Sequence, residues 1–355
     1  MIAQSYTMHH GFKTILLLFT VLTLAGCSSI PIASKRGKLQ TIAFYNTEKL
    51  FDTKDDPETD DDPFTPDGEM EWTEERYKLK LQNIATVIAG IGGKNGPDII
   101  GLSEVENRQV VDDLLNTSPL RRSGYSVIHQ EMNDEQGLDL ALLYKPRAFK
   151  PVSVEFIKIN FRESGYTSRD ILQVKGELQG ELVTIYVNHW PARGRARSSK
   201  RDDQRLQAAA ATLRQEIDKQ QKADPNAKII VMGDFDVEPN ASVLEKTLNA
   251  TGRPDPAYPT ELFNTHYLLF VNGRGSYAYQ GDFQMLDQIM VSKSMIGPKE
   301  GLEYVRGSAK IYNPVAIKYT LGRYRESPKG TYSGTVYRGG YSDHFPVFIQ
   351  VRRSR

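Results

Sequence analysis

The sequence predicts a single α/β or α+β domain over residues 40–355 of a 355-residue chain. Short apolar runs of strand type recur along this segment, and two longer stretches have helical spacing. Neither a repeat of fixed period nor a linker interrupts the pattern. With 39% hydrophobic residues, a chain of this size can bury a substantial core. We therefore expect layers of sheet and helix in one domain.

The first 39 residues are predicted to stand outside this domain. An apolar run at residues 15–24 follows a lysine and is too short to span a bilayer comfortably, which is typical of a signal-peptide core. The run ends in LAGC, which resembles the lipobox of bacterial lipoproteins and implies cleavage of residues 1–26 and lipidation of Cys27. Residues 27–39 then form the lipidated cysteine and a tether. We expect an exported protein, lipid-anchored in the bacterial cell envelope and built without disulfides.

The elements of the domain are predicted from apolar periodicity and turn residues. A capping pattern at Thr73 begins the first helix, a Gly-Pro turn precedes the second strand, and Pro146 follows the third. The segment HYLLFVNG, residues 266–273, is interpreted as a buried strand, although it is also the one candidate for an apolar hairpin that enters lipid. The predicted strands are 41–46, 97–107, 138–144, 182–190, 228–234, 286–292 and 343–351, and the predicted helices are 73–91 and 202–220.

The acidic stretch at residues 52–69 has two interpretations. A calcium loop needs oxygen ligands at fixed spacing and a glycine at a sharp turn. Three prolines interrupt the acids here and no such register is present, so we predict a solvated loop.

Polar residues with catalytic or metal-binding chemistry stand at the ends of the predicted strands. If the last strands run antiparallel to the earlier ones, all of these residues meet at one edge of the sheet. Each residue also has a simpler explanation, as a helix cap, a core histidine or a turn residue. Asn46, Glu104, His189 and Asp234 follow strands, whereas Asp287 and the pair Asp343–His344 begin them.

These residue types indicate a particular chemistry. Oxygen ligands without cysteine suit Mg²⁺, and also Mn²⁺ or Ca²⁺, better than a structural zinc. Histidines beside carboxylates suit proton transfer and the stabilisation of developing negative charge. The chain contains no P-loop, GxSxG or HExxH motif. A metal-activated water that attacks a phosphate fits what is present.

The motif order FYN, GLSEVEN, NHWPAR, GDFD, LDQIMVS and SDHFPV resembles the endonuclease/exonuclease/phosphatase superfamily over residues 40–352. That group includes pancreatic-type deoxyribonucleases, apurinic endonucleases, inositol-phosphate phosphatases and neutral sphingomyelinases. The resemblance implies a four-layer sandwich, in which two mixed β-sheets pack face to face with helices outside.

The resemblance also implies a metal site and a catalytic pair. Glu104 would be the main Mg²⁺ ligand, assisted by Asn46 and Asp343. Asp234 would orient or deprotonate the attacking water. His344 would stabilise charge on the phosphate while Asp287 holds its ring.

Further roles follow for the other side of the phosphate. His189 would bind the phosphate there, with Asp139 as a candidate partner. Arg169 is a weaker candidate for a phosphate contact and is equally well explained as a surface arginine.

One position departs from the superfamily pattern, which has G-D-F-N where this chain has Asp236. An amide donates a hydrogen bond to the scissile phosphate, and a carboxylate cannot. Asp236 would therefore be protonated, bound to a metal, or placed against a different substrate. We hypothesise that a second cation, or a proton shared with Asp234, relieves the repulsion between the two carboxylates.

Two segments bear on the substrate. Residues 191–205 are rich in arginine and lysine and follow His189, which favours phosphate contact, although pairing with Asp202 and Asp203 is the alternative. The tyrosines of residues 330–341 could stack on bases or sugars, or belong to a simple connection. The basic cluster comprises Arg193, Arg195, Arg197, Lys200, Arg201 and Arg205.

Three functions remain open from the sequence. The first is a metal-dependent phosphodiesterase or nuclease, with nucleic acid as the substrate. The second is a phosphatase or phospholipase C-type enzyme that acts on inositol-phosphate or phospholipid headgroups. The third is a non-catalytic surface lipoprotein that binds a ligand. The formal net charge of +1 argues against non-specific coating of nucleic acid, and no protein partner is implied.

Overall fold

The computed structural model describes residues 37–161, 163, 165–193, 199–298 and 300–354. Cys27, the signal peptide and most of the tether lie outside the described residues, so these remain predictions. The helices are α1 (Glu74–Gly90), α2 (Arg108–Asn116), α3 (Lys200–Ala223) and α4 (Tyr267–Val271), with a π-helical segment at Val243–Leu248. The strands are β1 (Gln40–Leu50), β2 (Ile99–Val105), β3 (Ser126–His129), β4 (Asp139–Tyr144), β5 (Phe149–Ile157), β6 (Ile171–Leu178), β7 (Glu181–His189), β8 (Lys228–Asp234), β9 (Ala250–Thr251), β10 (Leu262–Asn264), β11 (Tyr277–Tyr279), β12 (Asp282–Gln284), β13 (Asp287–Ser292), β14 (Gly301–Tyr304), β15 (Lys310–Ile311), β16 (Tyr332–Ser333), β17 (Val336–Tyr337) and β18 (Val347–Ser354).

Two mixed sheets form the centre of the molecule. The first has the order β14-β18-β1-β2-β4-β3, with β15 on β18, and the second has the order β5-β6-β7-β8-β13-β10-β9. Each contains one central parallel pair, β1 with β2 and β7 with β8. The inner faces of both sheets share one hydrophobic cluster, which includes Phe44, Leu142 and Met232. A Cβ atom on Gly101 of β2 would lie 2.9 Å from Met232 Sδ, so the sheets approach closely where that side chain is absent.

Helices cover the outer faces of the two sheets. Apolar residues of α1 and α2, such as Ile84 and Val110, pack on the first sheet. Apolar residues of α3, such as Leu213, pack on the second. The result is helix, sheet, sheet, helix, which confirms the predicted α/β four-layer sandwich.

The caps explain why the two long helices begin where they do. The Thr73 side chain accepts a hydrogen bond from the main-chain N–H of Arg76, as the sequence predicts. Ser199 and Asp202 form a reciprocal capping box at α3, so that helix begins before the predicted residue 202.

The prediction of a buried strand at residues 266–273 was wrong. The segment contains the short helix α4, none of whose residues is buried. Leu268 is 70% exposed and Val271 is 61% exposed. A short apolar run does not distinguish strand from helix by its periodicity, so only the tertiary contacts decide between them. Within the described residues, no helix is long and apolar enough to cross a membrane.

Candidate active site

The strand registers bring the predicted site residues to one edge of the sandwich. His189 of β7 and Asp287 of β13 both lie opposite Asp234 of β8, because β7 is parallel and β13 antiparallel to that strand. In the other sheet β18 runs antiparallel to β1, so the residues that precede β18 lie beside the end of β1. The prediction that these polar residues meet at one edge, which required antiparallel final strands, is therefore confirmed.

A cavity of about 550 Å³ opens at this edge. It is lined by seven of the candidate residues: Glu104, His189, Arg193, Asp234, Asp236, Asp343 and His344. Asn46 and Asp287 lie behind it, in contact with residues that line it. Cys27 lies outside the described residues.

Asn46 orients two carboxylates. Its Nδ2 donates to Glu104 Oε1 at 2.9 Å and to Asp234 Oδ2 at 3.0 Å. Its Oδ1 accepts from the main-chain N–H of Glu48 at 2.9 Å. These bonds let Asn46 position Glu104 and Asp234, and its role as an assisting metal ligand stays a prediction.

Glu104 and Asp343 provide oxygen atoms that suit a hard divalent cation. Both line the cavity, and their side chains are 17% and 36% exposed. Glu104 adopts a φ of 60°, and its Oε2 accepts from the main-chain N–H of Lys49 at 2.9 Å. A cation beside these two residues would also reduce their repulsion from Asp234. The donor set therefore fits Mg²⁺, Mn²⁺ or Ca²⁺.

Two other clusters have metal-ligand chemistry and are better explained as hydrogen-bonded pairs. In the cluster Asp234, Asp287 and His344, the Asp287 side chain is fully buried and bonded to the histidine. In the cluster His129, Glu131 and Asp139, the Nε2 atom of His129 lies 2.9 Å from Asp139 Oδ2.

His344 and Asp287 form a buried histidine–aspartate pair of the kind used in catalysis, with 2.7 Å between Nδ1 of the histidine and Oδ2 of the aspartate. The ring of Tyr277 lies against the imidazole, with 4.9 Å between centroids. Burial alone would lower the pKa of His344, but the Asp287, Asp234 and Asp343 carboxylates outweigh it and raise that pKa well above its ordinary value. The ring is therefore a cation whose Nε2–H can donate into the cavity.

Asp234 has the environment of a general base. Burial, together with the charge of Asp287, raises its pKa above the ordinary value, while His344 opposes this effect. Its Oδ1 accepts from the main-chain N–H of Asp236 at 3.1 Å. Asn46 holds the other oxygen, and the carboxylate keeps a raised affinity for a proton, which is what a base needs.

His189 faces the same carboxylates from the second sheet. Its Nε2 lies 3.7 Å from Glu104 Oε1 and 3.9 Å from Asp234 Oδ2. Burial, and the positive charges of Arg169 and His344, lower the pKa of His189 well below its ordinary value, so the ring is neutral. Its Nδ1 has no hydrogen-bond partner among the described residues.

Asp139 is not the partner of His189. It accepts from the Met132 main-chain N–H at 2.9 Å and pairs with His129. The register of β3 on β4 places His129 beside Asp139.

The candidate substrate-binding residues separate into two groups. Arg169 is buried and donates to Asp134 Oδ1 at 2.7 Å, and it does not line the cavity. Arg193 does line it, with Nε 2.9 Å from the Asp236 main-chain oxygen and 3.6 Å from Asp236 Oδ2. The Arg193 main-chain N–H also donates to that carboxylate. The positive group beside Asp236 in this structure is thus Arg193.

Asp236 itself is in an unusual setting. It adopts a left-handed φ of 51°. Burial, followed by the charge of Asp234, raises its pKa to about 7. This geometry tests neither the hypothesised second cation nor the proton shared with Asp234, so both stay predictions.

Two other described arginines of the basic cluster, Arg201 and Arg205, do not line the cavity. Arg205 forms a two-point ion pair with Glu163, at 2.9 and 3.0 Å, and stacks on Tyr166. Arg201 lies 3.6 Å from the same carboxylate. The expected phosphate contact stays a prediction for these two arginines, which pair with Glu163 and do not line the cavity. Arg195 and Arg197 lie outside the described residues.

Sequence reasoning missed several cavity residues. Lys49, Phe64 and Met70 line the cavity, whereas Tyr332, which also lines it, belongs to the 330–341 segment whose tyrosines were expected to stack or to form a simple connection. Lys49 stands three residues after Asn46 and could have been noticed from that spacing. Phe64 belongs to the acidic loop, where nothing in the sequence separates it from a residue that packs elsewhere.

Comparisons with known proteins agree with this architecture. The model of the family described as "Endonuclease/Exonuclease/phosphatase family" matches residues 41–353. No curated protein sequence matches the chain. The fold is shared with D. rerio TDP2 in complex with a single-strand DNA product, at 14% identity, 88% and 99% coverage of the two chains and a TM-score of 0.53.

Two further solved structures share the fold. Mannosyl-6-phosphatase from Bacteroides thetaiotaomicron has 16% identity, coverage of 88% and 99%, and a TM-score of 0.54. The human Nocturnin catalytic domain with bound sulfate has 17% identity, coverage of 89% and 95%, and a TM-score of 0.52.

Proposed function

Because the chain belongs to the endonuclease/exonuclease/phosphatase family, we propose that it is a metal-dependent phosphodiesterase with nucleic acid as its substrate. The family is one of metal-dependent phosphoesterases. The observation that carries the proposal is the convergence of the His344–Asp287 pair, Asp234 and the oxygens of Glu104 and Asp343 on one cavity.

The side chains have complementary tasks in this proposal. Mg²⁺ held by Glu104 and Asp343 would supply charge neutralisation at the phosphate and a more acidic bound water. Asp234 accepts the proton of the attacking water, for which its raised pKa suits it. His344 donates from Nε2 to a phosphate oxygen, and Asp287 fixes the ring through Nδ1.

His189 completes the phosphate site. Its neutral ring donates one hydrogen bond to the phosphate, from the side opposite to His344. Because the ring carries no charge, it does not form an ion pair with Glu104 that would compete with the metal.

The preference for nucleic acid has support in the cavity walls. Tyr279 and Tyr332 line the cavity and are only partly buried, and aromatic faces of this kind stack on bases. We further propose that lipidation of Cys27 anchors the enzyme in the bacterial cell envelope, where it meets substrates outside the cytoplasm.

A second candidate is hydrolysis of phospholipid or inositol-phosphate headgroups. Leu268 and Val271 of α4 are exposed, and α4 lies in sequence between β10 and the cavity-lining β11. A short helix with exposed apolar side chains would suit contact with a lipid surface.

The test uses supercoiled DNA and Mg²⁺, with and without EDTA. We expect metal-dependent cleavage, with the rate of His344→Ala lower by about 10²-fold or more. His129→Ala is the matched control, because it also removes a histidine bonded to an aspartate but lies outside the cavity. Absence of cleavage by folded wild-type protein would refute the nuclease proposal. Cleavage of phosphatidylinositol vesicles in its place would favour the second candidate.

A further inference from the structure

Lys49, a cation of the cavity, forms no ion pair with any residue that the structure describes. Lys49 is half-buried and lines the cavity, and its Nζ lies 5.3 Å from the centroid of the Phe64 ring. Among the residues that the structure describes, no carboxylate comes within 4.0 Å of this ammonium group, although the loop at residues 52–69 is rich in acids. Neutralising the acidic residues of that loop therefore does not explain the position of Lys49.

The backbone of Lys49 is fixed to the proposed metal ligand. Its main-chain N–H donates to Glu104 Oε2 at 2.9 Å, and its φ is 51°, in the left-handed region that a lysine seldom adopts. The preceding Glu48 has a φ of 52° as well. The main-chain bond holds Lys49 next to Glu104, and backbone strain of this kind collects at functional sites.

The surface beneath the ammonium group is rigid and aromatic. Phe64 packs against Phe51, Trp72 and Tyr332, with centroid distances of 4.7, 6.4 and 6.1 Å. The Tyr332 hydroxyl donates to the Met70 main-chain oxygen at 2.8 Å, which holds that ring in place. A cation on a fixed apolar wall is a site for an anionic group carried by a ring or sugar.

Resting on the phosphodiesterase proposal, we propose that Lys49, Phe64 and Tyr332 form a subsite for a second phosphate of the substrate, next to the one that is cleaved. Arg193, on the other side, is already engaged by Asp236, whereas the charge of Lys49 is available to a ligand. The second phosphate would belong either to the next link of a nucleic-acid strand or to a small bisphosphate. The chemistry that Lys49 recognises is the same in both cases.

The test is a binding experiment that does not require turnover. The purified protein with Ca²⁺ is titrated calorimetrically with thymidine 5′-monophosphate, thymidine 3′,5′-bisphosphate and inositol 1,4-bisphosphate. Wild-type protein should bind at least one bisphosphate about tenfold or more tightly than the monophosphate, the effect of one charge-assisted hydrogen bond. Preference for the thymidine compound indicates a strand, and preference for the inositol compound indicates a small substrate.

Lys49→Met should remove the advantage of the bisphosphate and leave monophosphate binding unchanged. Lys54→Met is the matched control, because it removes an exposed lysine of the neighbouring loop that does not line the cavity. No bisphosphate advantage in wild type, or an advantage that survives in Lys49→Met, would overturn the subsite. If the advantage depends on Lys49 but no phosphodiester is cleaved, the subsite stands and the proposed reaction fails.

Discussion

A buried lysine of helix α1 should be essential for stability. Lys80 is 1% exposed, and its Nζ donates to Thr331 Oγ1 and to the Tyr341 main-chain oxygen and lies 3.5 Å from Glu48 Oε2. Glu48 in turn accepts from the Thr331 main-chain N–H at 2.6 Å. The lysine thus ties α1 and the end of β1 to the segment that leads into Asp343.

The size of the effect follows from what Lys80→Met leaves behind. The Glu48 side chain is only 14% exposed, so it keeps a desolvated charge with no cation beside it. Breaking a buried pair in this way costs about 3–5 kcal/mol. The pKa of Glu48 is raised by burial and lowered by Lys80, so removing the lysine favours the protonated acid and limits the loss at low pH.

The assay is urea unfolding at pH 8, followed by the fluorescence of Trp72 and Trp190, both buried. A loss of 3–5 kcal/mol corresponds to a midpoint about 1–2 M lower. The control is Lys78→Met on the same helix, because Lys78 pairs with Glu74 at 3.1 Å with both side chains exposed. Exposed pairs contribute about 0–1 kcal/mol.

A double variant, Lys80→Met with Glu48→Gln, tests the same buried pair. Adding Glu48→Gln to Lys80→Met removes the stranded charge while an amide oxygen still accepts from Thr331, so part of the stability should return. If Lys80→Met is no less stable than Lys78→Met, or if the second substitution restores nothing, the buried pair does not have the role described.

Two further predictions concern titrating groups. Asp236→Asn should keep or raise the rate of DNA cleavage, most clearly at pH 8, because the pKa of Asp236 is about 7 and its charge repels both Asp234 and phosphate above that pH. A large loss of rate at pH 6 and pH 8 alike would contradict this. Burial lowers the pKa of His266 to about 4, so the unfolded chain binds a proton below pH 6.5 that the folded chain does not. The free energy of unfolding should therefore fall by about 2 kcal/mol more between pH 7 and pH 5 in wild type than in His266→Gln, as urea unfolding at the two values would show; equal losses would exclude this histidine as a cause.

Much of the site could be read from local sequence because its residues end or begin strands. The period of the apolar runs and the turn residues beside them place Glu104, His189, Asp234, Asp287 and His344 at strand ends. These are local properties that neighbouring residues determine. The four-layer fold came from the resemblance of the ordered motifs, and the structure confirms it.

Side-chain partnership was decided only by the tertiary structure. Asp139 pairs with His129 and not with His189, and Arg205 pairs with Glu163. Residues 267–271 form the short helix α4 where a strand was predicted.

The physical reason is distance along the chain. Lys80 meets Thr331 across 251 residues and Asn46 meets Asp234 across 188, so no local pattern contains either contact. The sequence by itself determined which residues could do chemistry at the end of a strand. Only the packing of the two sheets decided which carboxylate each cation meets, and it brings no carboxylate of the described chain within 4.0 Å of the Lys49 ammonium group.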